Sequence, residues 1–304
     1  MANSPSNQPH RSISLPSRPH PLVPQIDEHI SRLRSSEVAS TSVPQLPSLG
    51  HKLNILKDLY DCLDNLILLP QNQQKLMQFC NARCIDELLD GSLRLLDVCG
   101  IVKDVVSQVK EQTQKMQSSL RRRSNAELSI GDEIVGYVNM RKKTKPMMKR
   151  CTKDVKGMMK KITCQKGGDH ENVVMVSVLK EVEGVTAEIF ESLLDAISGS
   201  KAQFYKRGAS LSLVMCKLIM YQSEAFEKEE EEVSKNEFED VDSTLSSLII
   251  TQKKRSCLNV LQAENLRRQL VKLDSTIQDL DEILEGLFRC LVKTRATLLN
   301  IFYY

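Results

Sequence analysis

The sequence predicts an all-α fold, an elongated multi-helix bundle with coiled-coil-like packing behind a disordered N-terminal tail. Three observations carry that expectation. Apolar residues recur at three- and four-residue steps along most of the chain, which gathers them on one face of a helix. Most of the ten prolines lie before Ser48, and only Pro70 and Pro146 follow, so long helices meet few breakers. No segment alternates apolar and polar residues with period two over strand length, so a sheet is not expected. Aromatics make up 4% of the chain and tryptophan is absent, which leaves Leu, Met, Ile and Val to fill the core.

Residues 1 to about 24 are rich in Pro, Ser and Arg and carry too little apolar surface to offset the entropy of ordering. The tail extends to residue 49, with a short helix over Gln25 to Ser36 and a Pro-bearing linker, STSVPQLPSLG, ending at Gly50. Residues 50–304 are expected to form a single helical-bundle domain. Its first helix carries Leu53, Leu56, Leu59, Tyr60, Leu63 and Leu66 on one face and ends at Pro70. A second runs from Asn72 to Asp90 with Leu76, Phe79, Cys80, Cys84, Leu88 and Leu89 inward, and Gly91 punctuates it. A long third helix holds Leu95, Val98, Val102, Val105, Val109, Gln112 and Met116 and stops at the basic triplet Arg121, Arg122, Arg123.

Ser124 then reads as the N-cap of a helix from Asn125, with Glu127 completing a capping box. Pro146 is expected to kink or divide that helix, and Gly167-Gly168 to close its continuation. Helices from Glu171 to about Ser198 and from about Ser200 to Phe226 follow, and an acidic loop at about 227–242 leads to the last element. That element has the clearest pattern: Leu266, Leu270, Leu273, Ile277, Leu280, Leu284, Leu287 and Leu291 alternate at four and three residues. Flanking Gln269, Thr276, Ile283, Phe288 and Cys290 are not the complementary charges of a dimeric zipper. The seam therefore favours an intramolecular bundle, and a monomer, over a coiled-coil dimer.

Nothing in the chain reads as a purpose-built reaction centre. There is no GxSxG, HExxH, phosphate-cradling glycine loop or dinucleotide fingerprint, so no catalytic residue, metal ligand or cofactor is expected. Nine cysteines are scattered without CxxC spacing, the pattern of reduced thiols in a reducing compartment. Cys80 and Cys84, four apart, read as buried thiols on one helix face. No apolar run reaches eighteen residues; the nearest, Leu211 to Tyr221, contains Lys217. The N-terminus lacks the apolar centre of a secretory signal, and its acid-free, Ser-rich opening supports a plastid-transit reading less well than disorder. A cytoplasmic chain is expected, with a membrane-peripheral position, plastid and nucleus left open.

Four features bear on partners. Arg11-Ser12-Ile13-Ser14-Leu15-Pro16 matches a basophilic kinase site and, with Ser14 phosphorylated, the form bound by a 14-3-3-type phosphoserine reader. Between Arg121 and Lys166 fourteen Lys or Arg face four acids, and Arg121, Arg122, Arg123, Arg141, Lys142, Lys143 and Lys145 are candidates for binding a polyanion. An anionic membrane surface suits the tract better than nucleic acid, because Tyr137 is its lone aromatic. The stretch from Glu224 to Asp242 holds ten acids and two lysines, and neutralisation of one region by the other is the competing, favoured reading. The C-terminal LEGLFRCLVKTRATLLNIFYY has the pattern of an interfacial amphipathic helix, although continuation of the seam through it favours packing.

Several strings resemble a plant-specific family that includes the BYPASS proteins: RSISLPSRPHP at Arg11 to Pro21, DLYDCLDNLILLPQNQQKL at Asp58 to Leu76, LDVCGIVKDVVSQVKEQTQKMQSSLRRRS at Leu96 to Ser124, and CLVKTRATLLNI at Cys290 to Ile301. They lie in order and frame nearly the whole chain. Pro146 and the acidic stretch depart from the family pattern. The resemblance implies a role in root and shoot development, where BYPASS itself restrains a mobile root-derived signal. It implies no catalytic residue or cofactor. The expected function is that of a non-enzymatic regulatory protein with protein partners, acting through helical surfaces and a phosphorylatable tail. A membrane- or nucleic-acid-associated factor using residues 121–166, and an enzyme with an unrecognised site, are the alternatives.

Overall fold

The computed structural model describes residues 20–38, 46–122, 130–164, 174–199, 236–253 and 260–303. Among them the chain forms eight helices and no strand. In chain order these are α1 (Leu22–Val38), α2 (Leu46–Ile67), α3 (Pro70–Phe79), α4 (Ala82–Arg122), α5 (Gly131–Cys164), α6 (Val174–Ser198), α7 (Glu237–Lys253) and α8 (Val260–Tyr303). The proposed cap at Ser124, the glycine pair at 167–168, the helix over 200–226 and the phosphorylation motif at 11–16 fall outside the described residues.

α1 covers the short helix expected over 25–36, and its Ile26, Ile30 and Leu33 are buried against α2. The Pro-bearing linker does not extend to Gly50. α2 begins at Leu46, and Leu46 and Leu49 are core residues. Pro47 is tolerated because it stands in the first helical turn, where its missing N–H has no intrahelical acceptor to lose.

The helix expected over 72–90 is two helices. Pro70 opens α3, and Asn72 Nδ2 donates to Leu66 O at 2.8 Å, tying α3 to the end of α2. Cys80 is extended (φ −82°, ψ 118°) and breaks the helix. Asn81 restarts it as an N-cap, its Oδ1 accepting the Cys84 N–H at 2.9 Å. Phe79, expected inward, is exposed at the end of α3. Gly91 ends nothing: it lies inside the 41-residue α4, where a Cβ would overlap the carboxylate of Glu183 on α6. The missing Cβ leaves room for that carboxylate.

α5 runs unbroken through Pro146. Pro146 is exposed, so the Lys142 carbonyl, which loses its acceptor role, faces the solvent side, while Met148, Cys151, Val155 and Met158 bury the other. The acidic stretch is not a loop at its C-terminal end. From Glu237 it is α7, with Glu237, Glu239 and Asp240 in the first turn, where carboxylates oppose the positive end of the helix dipole. Asn236 Oδ1 accepts from Glu239 N–H at 3.0 Å and its Nδ2 donates to Ala196 O at 3.0 Å, capping α7 and fixing it to the end of α6.

Cross-helix contacts give the packing order. Lys110 pairs with Asp281 at 2.8 Å, Gln117 Nε2 donates to Leu270 O at 3.0 Å and Arg295 donates to Leu89 O; partners descend as α4 ascends, so α8 is antiparallel to α4. Gly50 meets Ile283, Lys57 meets Gly286 and Asp64 meets Thr294, so α8 is parallel to α2. α6 packs against α2, α4 and α5 together and is correspondingly apolar, with Val182, Ile189, Phe190, Leu193 and Ile197 buried. One hydrophobic cluster joins α1 to α8.

Candidate functional site

The basic tract divides into an internal and an external set. Helical geometry turns Arg141 inward, where it is 4% exposed. Its Nε lies 3.0 Å from Asp242 Oδ1 and its Nη2 2.8 Å from Asp242 Oδ2, a forked contact, and Nη2 also donates to Ile197 O at 2.7 Å. Lys145 Nζ reaches Asp242 Oδ2 at 2.8 Å, Tyr137 OH donates to Oδ1 at 3.1 Å, and the Phe238 ring lies 5.6 Å from the guanidinium carbon. Burial pushes the Asp242 carboxyl up, but Arg141 and Lys145 outweigh it and hold it below the usual carboxylate range. Burial pushes the Tyr137 hydroxyl up, so it stays protonated and donates. This cluster fastens α5, α6 and α7 together. Arg141 is therefore buried and paired within the fold, and Lys145, its side chain 37% exposed, is paired with the same carboxylate. Lys156 is likewise paired, with Glu191 at 3.0 Å.

The external set is larger. Lys142, Lys143, Lys149, Arg150, Lys153, Lys160 and Lys161 are all exposed, with Asp154 the acid among them. Lys142, Lys149, Lys153 and Lys160 follow at steps of seven, four and seven residues, which return to one line along an α-helix; Lys143, Arg150 and Lys161 form a neighbouring line. At 1.5 Å per residue the row is roughly 27 Å long. None of the seven cations has an ion-pair partner among the described residues, and a Cβ at Gly157 in the same row would meet open space. Lys149, Arg150, Lys153, Lys160 and Lys161 lie in the basic tract but not among the seven candidate residues; the seven-four spacing is the sequence signal that groups them with Lys142. Arg121 and Arg122 are exposed at the end of α4, with Arg122 Nη2 3.5 Å from Ser119 Oγ, and Arg123 lies outside the described residues.

The apolar seam lies elsewhere. Leu266, Leu270, Leu273, Ile277, Leu280, Leu284, Leu287 and Leu291 are each at most 3% exposed, facing α4 and α2. Leu298 and Ile301 continue it to the C-terminus. The polar residues of that segment are also engaged: Arg295 donates to Leu89 O and Ser92 Oγ, and Thr294 Oγ1 donates to Asp64 Oδ1 at 2.5 Å. Asp64 is fully buried, and its carboxyl is pushed up by that burial despite Thr294 and the Lys293 ammonium 3.4 Å away. The 3.4 Å approach is a charge contact without a formed hydrogen bond, since Oδ2 has no donor. The C-terminal amphipathic pattern is thus spent on packing. No described helix is long and apolar enough to cross a membrane.

The family model for Protein BPS1 matches residues 52–301, which takes in α3 to α7 entire, α2 from its second turn onward, nearly all of α8, the cationic row and the seam. The chain belongs to the Protein BPS1 family. This is the BYPASS-related family that the four sequence strings resemble. α1 precedes the matched span. No curated protein and no solved structure shows significant similarity to the chain.

Proposed function

We propose that this BPS1-family chain is a non-enzymatic regulatory protein of plant development that docks on anionic membrane through the outer face of α5. One observation carries the reading: seven exposed cations with a single intervening acid line a helix whose opposite face is buried. Like charges are placed side by side only at a cost in self-repulsion, which an anionic surface relieves. Family membership supports the developmental role. The buried hydroxyls of Tyr60 and Tyr137 are hydrogen-bonded between helices, to Thr186 and Asp242, in two separate places, which supports structural rather than catalytic duty for them.

Lipid is favoured over nucleic acid by the absence of a base-stacking platform. Tyr137, the aromatic of the tract, is buried, and the exposed row contains none. The Arg11–Pro16 motif adds a second docking element, with protein partners reading Ser14 once it is phosphorylated; a Ser14 phosphopeptide should bind a 14-3-3-type reader more tightly than the unmodified peptide.

Flotation with phosphatidylserine vesicles tests the membrane reading. Binding should be strong at low salt and fall as salt screens it. The Lys142→Glu/Lys149→Glu/Lys153→Glu triple variant should lose it, with helical circular dichroism intact because all three side chains are exposed. Unchanged flotation of the triple variant, or retention of nucleic acid without vesicle binding, overturns the proposal.

A further inference from the structure

The α3–α4 corner brings two thiols together: Cys84 Sγ lies 3.6 Å from Cys80 Sγ. The spacing of four does not act through a shared helix. Cys80 is the extended residue that ends α3, Asn81 caps α4, and Cys84 is the third residue of α4. The two side chains therefore close over the corner. Both are buried, but Met77, Gln78 and Phe79 before them and Asn81, Ala82 and Arg83 between them are exposed, so the pair sits just beneath the surface. α3 is ten residues long and Leu76 is its buried anchor. A short helix held by one core side chain opens locally at little free-energy cost.

We propose that Cys80 and Cys84 are a redox-active dithiol that closes to an intramolecular disulfide by exchange with a low-molecular-weight disulfide of the glutathione type. The Cys84 thiolate attacks one sulfur of that disulfide, breaking its S–S bond, releasing one thiolate and leaving Cys84 in a mixed disulfide. Cys80 gives its proton to solvent and attacks Cys84 Sγ, releasing the second low-molecular-weight thiolate. Two protein thiols are oxidised by two electrons and one external disulfide is reduced to two thiols. Rotation of the side chains must shorten the 3.6 Å separation to about 2.05 Å.

The surroundings assign the roles. Cys84 lies in the first turn of a 41-residue helix, where the dipole favours an anion, and Lys180 stands beside it, paired with Glu87 at 3.3 Å. Either thiol can donate the sulfur–sulfur hydrogen bond. When Cys84 ionises Cys80 donates, which lowers the Cys84 thiol and raises that of Cys80. Cys62, Cys99, Cys151 and Cys290 are pushed up, each by burial first. The attacking sulfur is thus Cys84 and the resolving one Cys80. The disulfide encloses only residues 80–84, so it acts on the corner angle more than on global stability.

Trypsin provides a direct readout, because Arg83 lies between the two cysteines. Full-length native protein is exposed to oxidised glutathione, alkylated and digested. The expected product is peptide 76–83 linked to peptide 84–94, reversed by reduced glutathione. Cys80→Ser should trap glutathione on Cys84, whereas Cys84→Ser should slow reaction at Cys80 by about tenfold or more. Phenylarsine oxide, which bridges close dithiols, should protect both from alkylation in the wild type. Failure of the 76–83/84–94 link to form in native wild-type protein, or its formation only in denaturant, overturns the proposal whether or not the variants fold.

Discussion

Arg141 and Asp242, 101 positions apart in sequence, share a forked contact with side chains 4% and 18% exposed. Removing one partner leaves the other charge buried, so Asp242→Ala should cost about 3–5 kcal/mol. Its pH dependence follows from the direction of the shift. A carboxyl held low in the fold stabilises fully above its unfolded value, about pH 3.9, and the contribution is lost as pH falls through the folded value. Urea midpoints should therefore separate wild type from Asp242→Asn at neutral pH and converge as the pH is lowered below about 4; a constant gap across that range contradicts the assignment. Gly91 illustrates a different coupling. Alanine there should destabilise the native chain by pushing on Glu183, yet stabilise a Glu183→Ala background by about 1 kcal/mol through helix propensity. A double-mutant cycle measured by denaturation checks the reversal of sign. Neither residue announces its role in sequence, because Arg141 differs from Lys142 only in which side of α5 it occupies.

At the scale of elements, periodicity located α2, the long run of α4 and α8, since buried faces of helices must repeat at three and four residues. Local breakers were less reliable guides. Pro47 sits inside a helix start and Pro146 inside a helix, whereas the break at Cys80 follows no proline or glycine. Pro146 is exposed and contributes little packing, so Pro146→Ala should restore the bond to the Lys142 carbonyl and stabilise the chain by about 1–3 kcal/mol. Chemical denaturation checks this, and a loss of stability would show that the proline fits a bend the core requires. α7 escaped notice because charge dominates its opening; Phe238, Val241, Leu245 and Leu248 are nonetheless buried, at the helical steps of three and four.

Across the whole molecule, α8 runs the length of α4 in antiparallel register and touches α2 in parallel, so the seam is closed by the chain itself. Leu284→Ala should cost about 2–5 kcal/mol and lower the thermal midpoint of a species that light scattering reports as monomeric before and after. A wild-type dimer that the substitution dissociates into folded monomer would assign the seam to a second copy instead. The helical class, the positions of the long helices and the eight-residue seam were determined by sequence alone, because burial imposes a period that survives any arrangement of neighbours. Which cations pair and which stay exposed, that Gly91 leaves room for the Glu183 carboxylate, and that Cys80 and Cys84 meet across a corner were decided only by the tertiary structure. Those outcomes depend on groups brought together from distant or differently turned segments, and spacing along one helix carries no record of them.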